Sequence, residues 1–154
     1  MGATFSHGAW DGSYSGFSAL RSLVFRLAGH GDLDTVEGFT DPIDEDDPDG
    51  ETKPGRNLRD LIPKSDGLYP LFEMDDTGGL LRNSALPPLA RRLRQIVAES
   101  PEQVDRVYEG EPELTTGRIT IYAPEVGRTW RELLTQFADG CERAHKARED
   151  LTWE

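Results

Sequence analysis

The sequence predicts an α+β fold, with about three main helices packed on a small sheet. Three observations lead there. Three stretches carry apolar residues at helical spacing, and one segment alternates polar and apolar residues. The 36% hydrophobic content of 154 residues is enough for one packed domain spanning 1–154.

The first helix is expected from Ser15 to Ala28. Phe17, Leu20, Leu23, Val24 and Leu27 fall on one stripe, Ser15 is placed to cap and Gly29 to end it. Arg26 lies opposite that stripe and Arg21 at its edge, so both guanidinium groups are expected in solvent. Between His30 and Ser65 the periodicity fails, broken by Pro42, Pro48, Gly50, Pro54 and Gly55. Residues 41–56 read as an acidic mobile loop, and Asn57 to Ile62 as one or two helical turns stopped by Pro63.

Leu68-Tyr69-Pro70-Leu71-Phe72 is short and apolar, which suits a buried extended segment, and Asp75 to Gly79 reads as a tight turn. A second helix is expected over Pro88 to Glu99, with Leu89, Leu93, Ile96 and Val97 on one face. Arg118 to Ala123 alternates and is rich in β-branched residues, the pattern of a strand. The longest helix follows, from about Pro124 to Asp150. Its buried face is Trp130, Leu133, Leu134, Phe137, Ala138, Cys141 and Ala144, with Gly140 costing ~1 kcal/mol against alanine. Leu151-Thr152-Trp153 reads as a short edge strand. Trp10 and Trp153 are expected to plug the edges of the core.

Several chemistries fail on their own spacing. Glu45, Asp47, Asp49 and Gly50 match the first positions of a calcium loop, but its twelfth position is Arg56 and Pro48 interrupts the ligands. Gly12 to Gly16 resembles a nucleophile elbow, yet its central residue is Tyr14 rather than serine. Cys141 and His145 share a helix face, but the cysteine sits on the apolar stripe, where a thiol packs as a small hydrophobe. His7 and Asp11 lie close in sequence within a glycine-rich stretch that defines no catalytic pair. No glycine-rich phosphate loop and no zinc spacing is present. The sequence therefore names no catalytic residue, no metal site and no cofactor. With one cysteine, no intramolecular disulfide is available. No leader or membrane-spanning run is visible, so a cytoplasmic location is expected.

The net charge of −12 is unevenly placed. Residues 1–80 hold 16 acids and 6 bases, and residues 81–154 hold 13 acids and 11 bases. Asp41 to Glu51 alone carries seven acids and no base. A mimic of duplex DNA needs charge over an extended face. This charge is local, and fits a contact with a basic surface of another protein. The expected partner-binding residues are Asp44, Glu45, Asp46, Asp47, Asp49 and Glu51. Arg91, Arg92 and Arg94, with Arg82 near them, form the basic cluster. Direct nucleic-acid binding by these arginines would work against the net charge, and pairing with acids of the same molecule is the simpler expectation.

The order of segments is similar to that of a family of small uncharacterised acidic proteins from actinobacteria and their phages. Gly12-Ser-Tyr-Ser-Gly-Phe17 resembles its start. Tyr69-Pro-Leu-Phe72, the Asp75 to Gly78 turn and Leu89-Ala-Arg-Arg-Leu93 resemble its centre, and Leu151-Thr-Trp-Glu154 its end. Fourteen arginines against three lysines agree with a GC-rich genome. The family turn reads His-Ser-Asp-Cys-Asp-Gly. Glu73-Met74-Asp75-Asp76-Thr77-Gly78 keeps its first aspartate and glycine and lacks its His, Ser, Cys and second Asp. No metal or redox role carries over, and the resemblance implies no activity.

The leading expectation is a non-enzymatic protein that engages a basic protein partner, in the manner of an immunity protein, antitoxin or phage inhibitor. The alternatives are an accessory or regulatory domain with a merely solvated acidic loop, and a small metal-dependent hydrolase using Asp75, Asp76 and His30.

Overall fold

The computed structural model describes residues 2–29, 62–63, 65–73, 79–109 and 125–153. The strand expected at 118–123, the Asp75 to Gly79 turn up to residue 78, and the acidic segment 41–56 lie outside them.

The fold is α+β, with three long helices packed against small antiparallel sheet elements. Strands β1 (Gly2–Thr4) and β2 (Asp11–Ser13) form a hairpin in the register Gly2↔Ser13 and Thr4↔Asp11. Its connection holds a 3₁₀ turn at Ser6–Gly8, where His7 and Gly8 both take positive φ. Strands β3 (Gly79–Leu81) and β4 (Leu151–Trp153) form the second pair, with Leu81 opposite Leu151. A bridge between Phe5 and Trp153 joins the two pairs. The C-terminal edge strand is thus present.

Helix α1 (Tyr14–Leu27) starts directly after β2. Its cap is Ser13, whose Oγ accepts a hydrogen bond from Gly16 N at 3.0 Å, so Ser15 is a helical residue and not the cap. At the other end the Gly29 N–H donates to Arg26 O, and its φ of +89° reverses the chain without a Cβ penalty. The buried face includes Phe17, Leu20, Val24, Phe25 and Arg21.

The apolar run at 68–72 is helical rather than extended. Helix α2 (Tyr69–Glu73) is one short turn, begun by an Asx cap in which Asp66 Oδ1 accepts from Leu68 N at 2.9 Å. Pro70 falls in that first turn, where an amide N–H has no helical partner to lose. Leu68, Tyr69, Leu71 and Phe72 are buried, as their apolar character demands. The Phe72 ring meets Phe25 edge-on at 5.0 Å, which turns the buried face of α1 toward this flank.

Helix α3 (Leu86–Glu99) buries Leu86, Leu89, Ala90, Leu93 and Ile96, with prolines 87 and 88 in its first turn. A short α4 (Pro101–Val104) follows. Helix α5 (Trp130–Lys146) is shorter than its periodicity suggests at both ends. Thr129 caps it, its Oγ1 accepting from Glu132 N, after a turn at Gly127 with φ +90°. Arg148 takes φ +59° just beyond the C-terminus and redirects the chain into β4. Helices α3 and α5 pack on each other. A Cβ on Gly140 would stand 2.5 Å from Ala9 Cα, so this glycine lets the hairpin connection lie against α5. The ~1 kcal/mol propensity loss there is offset by close packing.

Phe5, Phe17, Phe137 and Trp153 form the aromatic centre of the core. Phe5 lies 4.8 Å from Phe17, 5.3 Å from Phe137 and stacks on Trp153 at 5.5 Å. Trp10 joins through Phe17 at 5.7 Å. Trp10 and Trp153 are therefore core residues, as expected of them.

Candidate functional site

Asp44, Glu45, Asp46, Asp47, Asp49 and Glu51 lie outside the described residues, and so do Asp75, Asp76 and His30. What the structure does place is the rest of the charge. The described residues hold 12 Lys and Arg against 13 Asp and Glu, a net of −1. The whole chain holds 17 against 29, so the remaining segments carry 5 against 16, a net of −11.

Within this nearly neutral body, arginines of the basic cluster face acids of the same chain. Arg94 bridges to Asp139 at 2.6 Å and to Glu142 at 3.0 Å across the α3–α5 seam. Those two hydrogen bonds, Glu142 first, raise the guanidinium pKa above its ordinary value and hold it charged. Arg92 pairs with Asp66 at 3.3 Å and with Gln95. Arg131 pairs with Asp105 at 2.7 Å, which lowers the pKa of that exposed carboxyl group.

Arg21 is buried rather than solvated. Its Nε donates to Leu71 O at 3.0 Å and its Nη2 to Phe72 O at 2.9 Å. These carbonyls belong to the last turn of α2, so the guanidinium supplies donors to the C-terminal end of a neighbouring helix. A helical wheel of α1 alone cannot show this, because α2 supplies the acceptors.

The remaining candidate pairs separate. Cys141 is buried in the core, and burial pushes its thiol up to about 12. His145 is exposed, with Nδ1 3.1 Å from Asn83 Oδ1. His7 Nε2 faces Glu149 at 3.8 Å, whereas Asp11 Oδ1 accepts from Thr4 Oγ1 at 3.5 Å. Among the described residues no group of three His, Cys, Asp or Glu could hold a metal ion. No helix among them is long and apolar enough to cross a membrane.

One arrangement was invisible in the sequence. Glu125 is only 1% exposed, although a glutamate is rarely buried unless partnered. Its partner is Ser13, 112 residues away. Ser13 N donates to both carboxylate oxygens at 3.2 Å, and Ser13 Oγ donates to Oε1. The carboxylate lies against the N-terminus of α1, the positive end of the helix. It fits because positions 12 and 16 are glycine. A Cβ at Gly12 would stand 3.0 Å from the Glu125 carboxyl carbon, and one at Gly16 2.8 Å from it.

The Ser13 hydroxyl donates to Glu125 and accepts from Gly16, and both side chains are nearly sealed from solvent. The pair joins chain segments instead of presenting a nucleophile. It ties the β1–β2 hairpin to the turn at 125–129. That turn in turn pairs with 106–108, through Tyr108 N to Arg128 O and Gly127 N to Tyr108 O, both at 2.8 Å. The Tyr108 and Trp130 rings meet there at 4.9 Å.

Among the described residues, two of the surface clefts accompany these contacts. One of about 550 Å³ is lined by Leu80, Arg82, Asn83, Ser84 and Asp150. The other, about 200 Å³, lies between α3 and α5 beside Leu93, Arg94, Val97, Leu134 and Thr135. No family model, curated protein or solved structure matches the chain.

Proposed function

We propose that this chain is a non-enzymatic cytoplasmic binding protein whose acidic segment engages a basic surface of another protein. The observation that carries this reading is the partition of charge. The described body is close to neutral, while the remaining segments hold a net of −11, with seven acids between Asp41 and Glu51. Clustered like charge repels itself, and a cationic partner relieves that repulsion. Arg92 and Arg94 already face acids in the body, at Asp66, Asp139 and Glu142. Contact through residues 44–51 gives an association that is fast, selective for basic surfaces and sensitive to salt.

The test is calorimetric titration with a Lys/Arg-rich peptide. The variant carries Asn at 44, 46, 47 and 49 and Gln at 45. The native chain should bind, weakening as salt rises from about 50 to about 300 mM, and the variant about tenfold or more weakly. Equal affinities, with the variant's circular dichroism unchanged, would overturn the reading.

A further inference from the structure

Strand β3 has an open edge, and the direction of its main-chain groups follows from the contacts of β4. Leu80 sits opposite Thr152 in the β3–β4 pair. Thr152 N donates to Ser6 Oγ at 3.0 Å, on the side where Phe5 bridges Trp153, so it points away from β3. In an antiparallel ladder, opposed residues either exchange both main-chain bonds or direct both outward. Leu80 and Thr152 form a pair of the outward kind, so the N–H and C=O of Leu80 point away from the sheet at its free edge. No strand among the described residues pairs with that edge.

The side chains define what fits along it. Leu81 is buried, whereas Leu80 is 51% exposed. Arg82 stays extended, with φ −65° and ψ 143°, before the 3₁₀ turn at Asn83–Ala85. Leu80 and Arg82 therefore share the solvent face of the strand, two residues apart. Both line the cleft of about 550 Å³, together with Asn83, Ser84 and Asp150. Asp150 is already engaged, its Oδ1 accepting from Asn83 N at 2.7 Å. Unlike Arg92, Arg94 and Arg131, Arg82 has no carboxylate partner among the described residues.

We propose that this edge receives an extended, acid-bearing peptide segment of a partner protein by strand addition. Lying antiparallel to β3, the segment exchanges two main-chain hydrogen bonds with Leu80. An apolar side chain opposite Leu80 packs on it, and an acidic side chain two residues earlier meets Arg82. Charge complementarity selects this occupant. A second copy is disfavoured, because each chain carries −12 and each edge ends in the same arginine. The contact goes beyond the acidic-segment reading, since here the partner supplies the acid and this chain the base.

The probe is the capped peptide acetyl-Thr-Glu-Thr-Val-Thr-amide, titrated into the ¹⁵N-labelled full chain. The Leu80 amide should move downfield saturably as its N–H gains an acceptor. Placing Lys at the Glu position of the peptide, or Arg82→Gln in the protein, should weaken binding about fivefold or more. Methylating the Val nitrogen of the peptide removes the N–H that meets Leu80 O. It should abolish binding while leaving the protein untouched. The proposal is overturned if no saturable shift develops below about 5 mM peptide. It is also overturned if the N-methylated peptide or the Lys peptide binds as well as the parent, or if Arg82→Gln leaves the affinity unchanged. A Leu80 amide that moves on dilution of the protein alone would assign the edge to a second copy and overturn it too.

Discussion

Arginine is used in opposite ways on two sides of this molecule. On the α1–α2 side, Arg21 is 3% exposed and closes the carbonyls of Leu71 and Phe72. On the α3–α5 side, Arg94 is 40% exposed and bridges two carboxylates that are themselves about half exposed. The second site has the shortest single distance, 2.6 Å to Asp139, and its two carboxylate partners are charged, so it looks the stronger. Solvent reverses that order. Water competes for every group in the Arg94 network, so removing one partner returns the others to a good solvent. Around Arg21 there is little solvent to replace what is lost, and the carbonyls of Leu71 and Phe72 would each lose a buried donor. Burial rather than bond length decides which arginine the fold depends on.

The largest expected effect tests the buried side. Arg21→Met keeps most of the side-chain volume and removes the donors. It should destabilise the fold by at least about 3 kcal/mol, since each of two buried carbonyls loses a donor at ~1–3 kcal/mol. Arg21→Lys retains the charge without the two-pronged geometry and should fall between. Urea denaturation of the three proteins measures both. A loss below about 1 kcal/mol for the methionine variant would mean that α2 rearranges to hydrate its end, and the comparison would fail.

This contrast also marks what the sequence could disclose. The faces of α3 and α5 were legible because their buried residues recur at helical spacing within one segment. Leu151–Trp153 was legible as a short edge strand, and it buries Leu151 and Trp153 while exposing Thr152. The burial of Arg21 was not legible, since its partners belong to α2, a helix that Pro70 disguised as an extended segment. The Ser13 cap was missed for a similar reason. Two serines compete for the start of α1, and Ser13 is chosen by its additional bond to Glu125, 112 residues away. Periodicity reports what a residue does within its own element. It cannot report an acceptor brought in by another.

A charge created in the interior sharpens the comparison. Cys141 sits on the buried face of α5, one residue from the exposed Glu142, and burial raises its thiol to about 12 from an ordinary value of 9.0. Below pH 9 the thiol is protonated in both the folded and unfolded chain, and its contribution is constant. Above that the unfolded chain releases the proton first, so stability falls as pH rises toward 12. The slope approaches about 1.4 kcal/mol per pH unit. Urea midpoints at pH 8.5 and 10.5 should therefore diverge more in the native protein than in Cys141→Ala. Parallel losses would show that the thiolate finds solvent, and that this face of α5 is less closed than its packing implies.

The smallest effect belongs to the surface network, and the choice of variant decides whether it is measured cleanly. Truncating Arg94 would also strip its aliphatic stem from the cleft it shares with Leu93, Val97, Leu134 and Thr135. Any loss would then mix packing with charge. The acids offer a cleaner route, since Asp139→Asn with Glu142→Gln removes both negative charges and keeps both shapes. The double variant should lose no more than about 1 kcal/mol at low salt, and roughly 0.5 M salt should erase the difference. A larger loss that persists in salt would place Arg94 with Arg21. The seam between α3 and α5 would then be held by its charges as well as by the apolar residues beneath them.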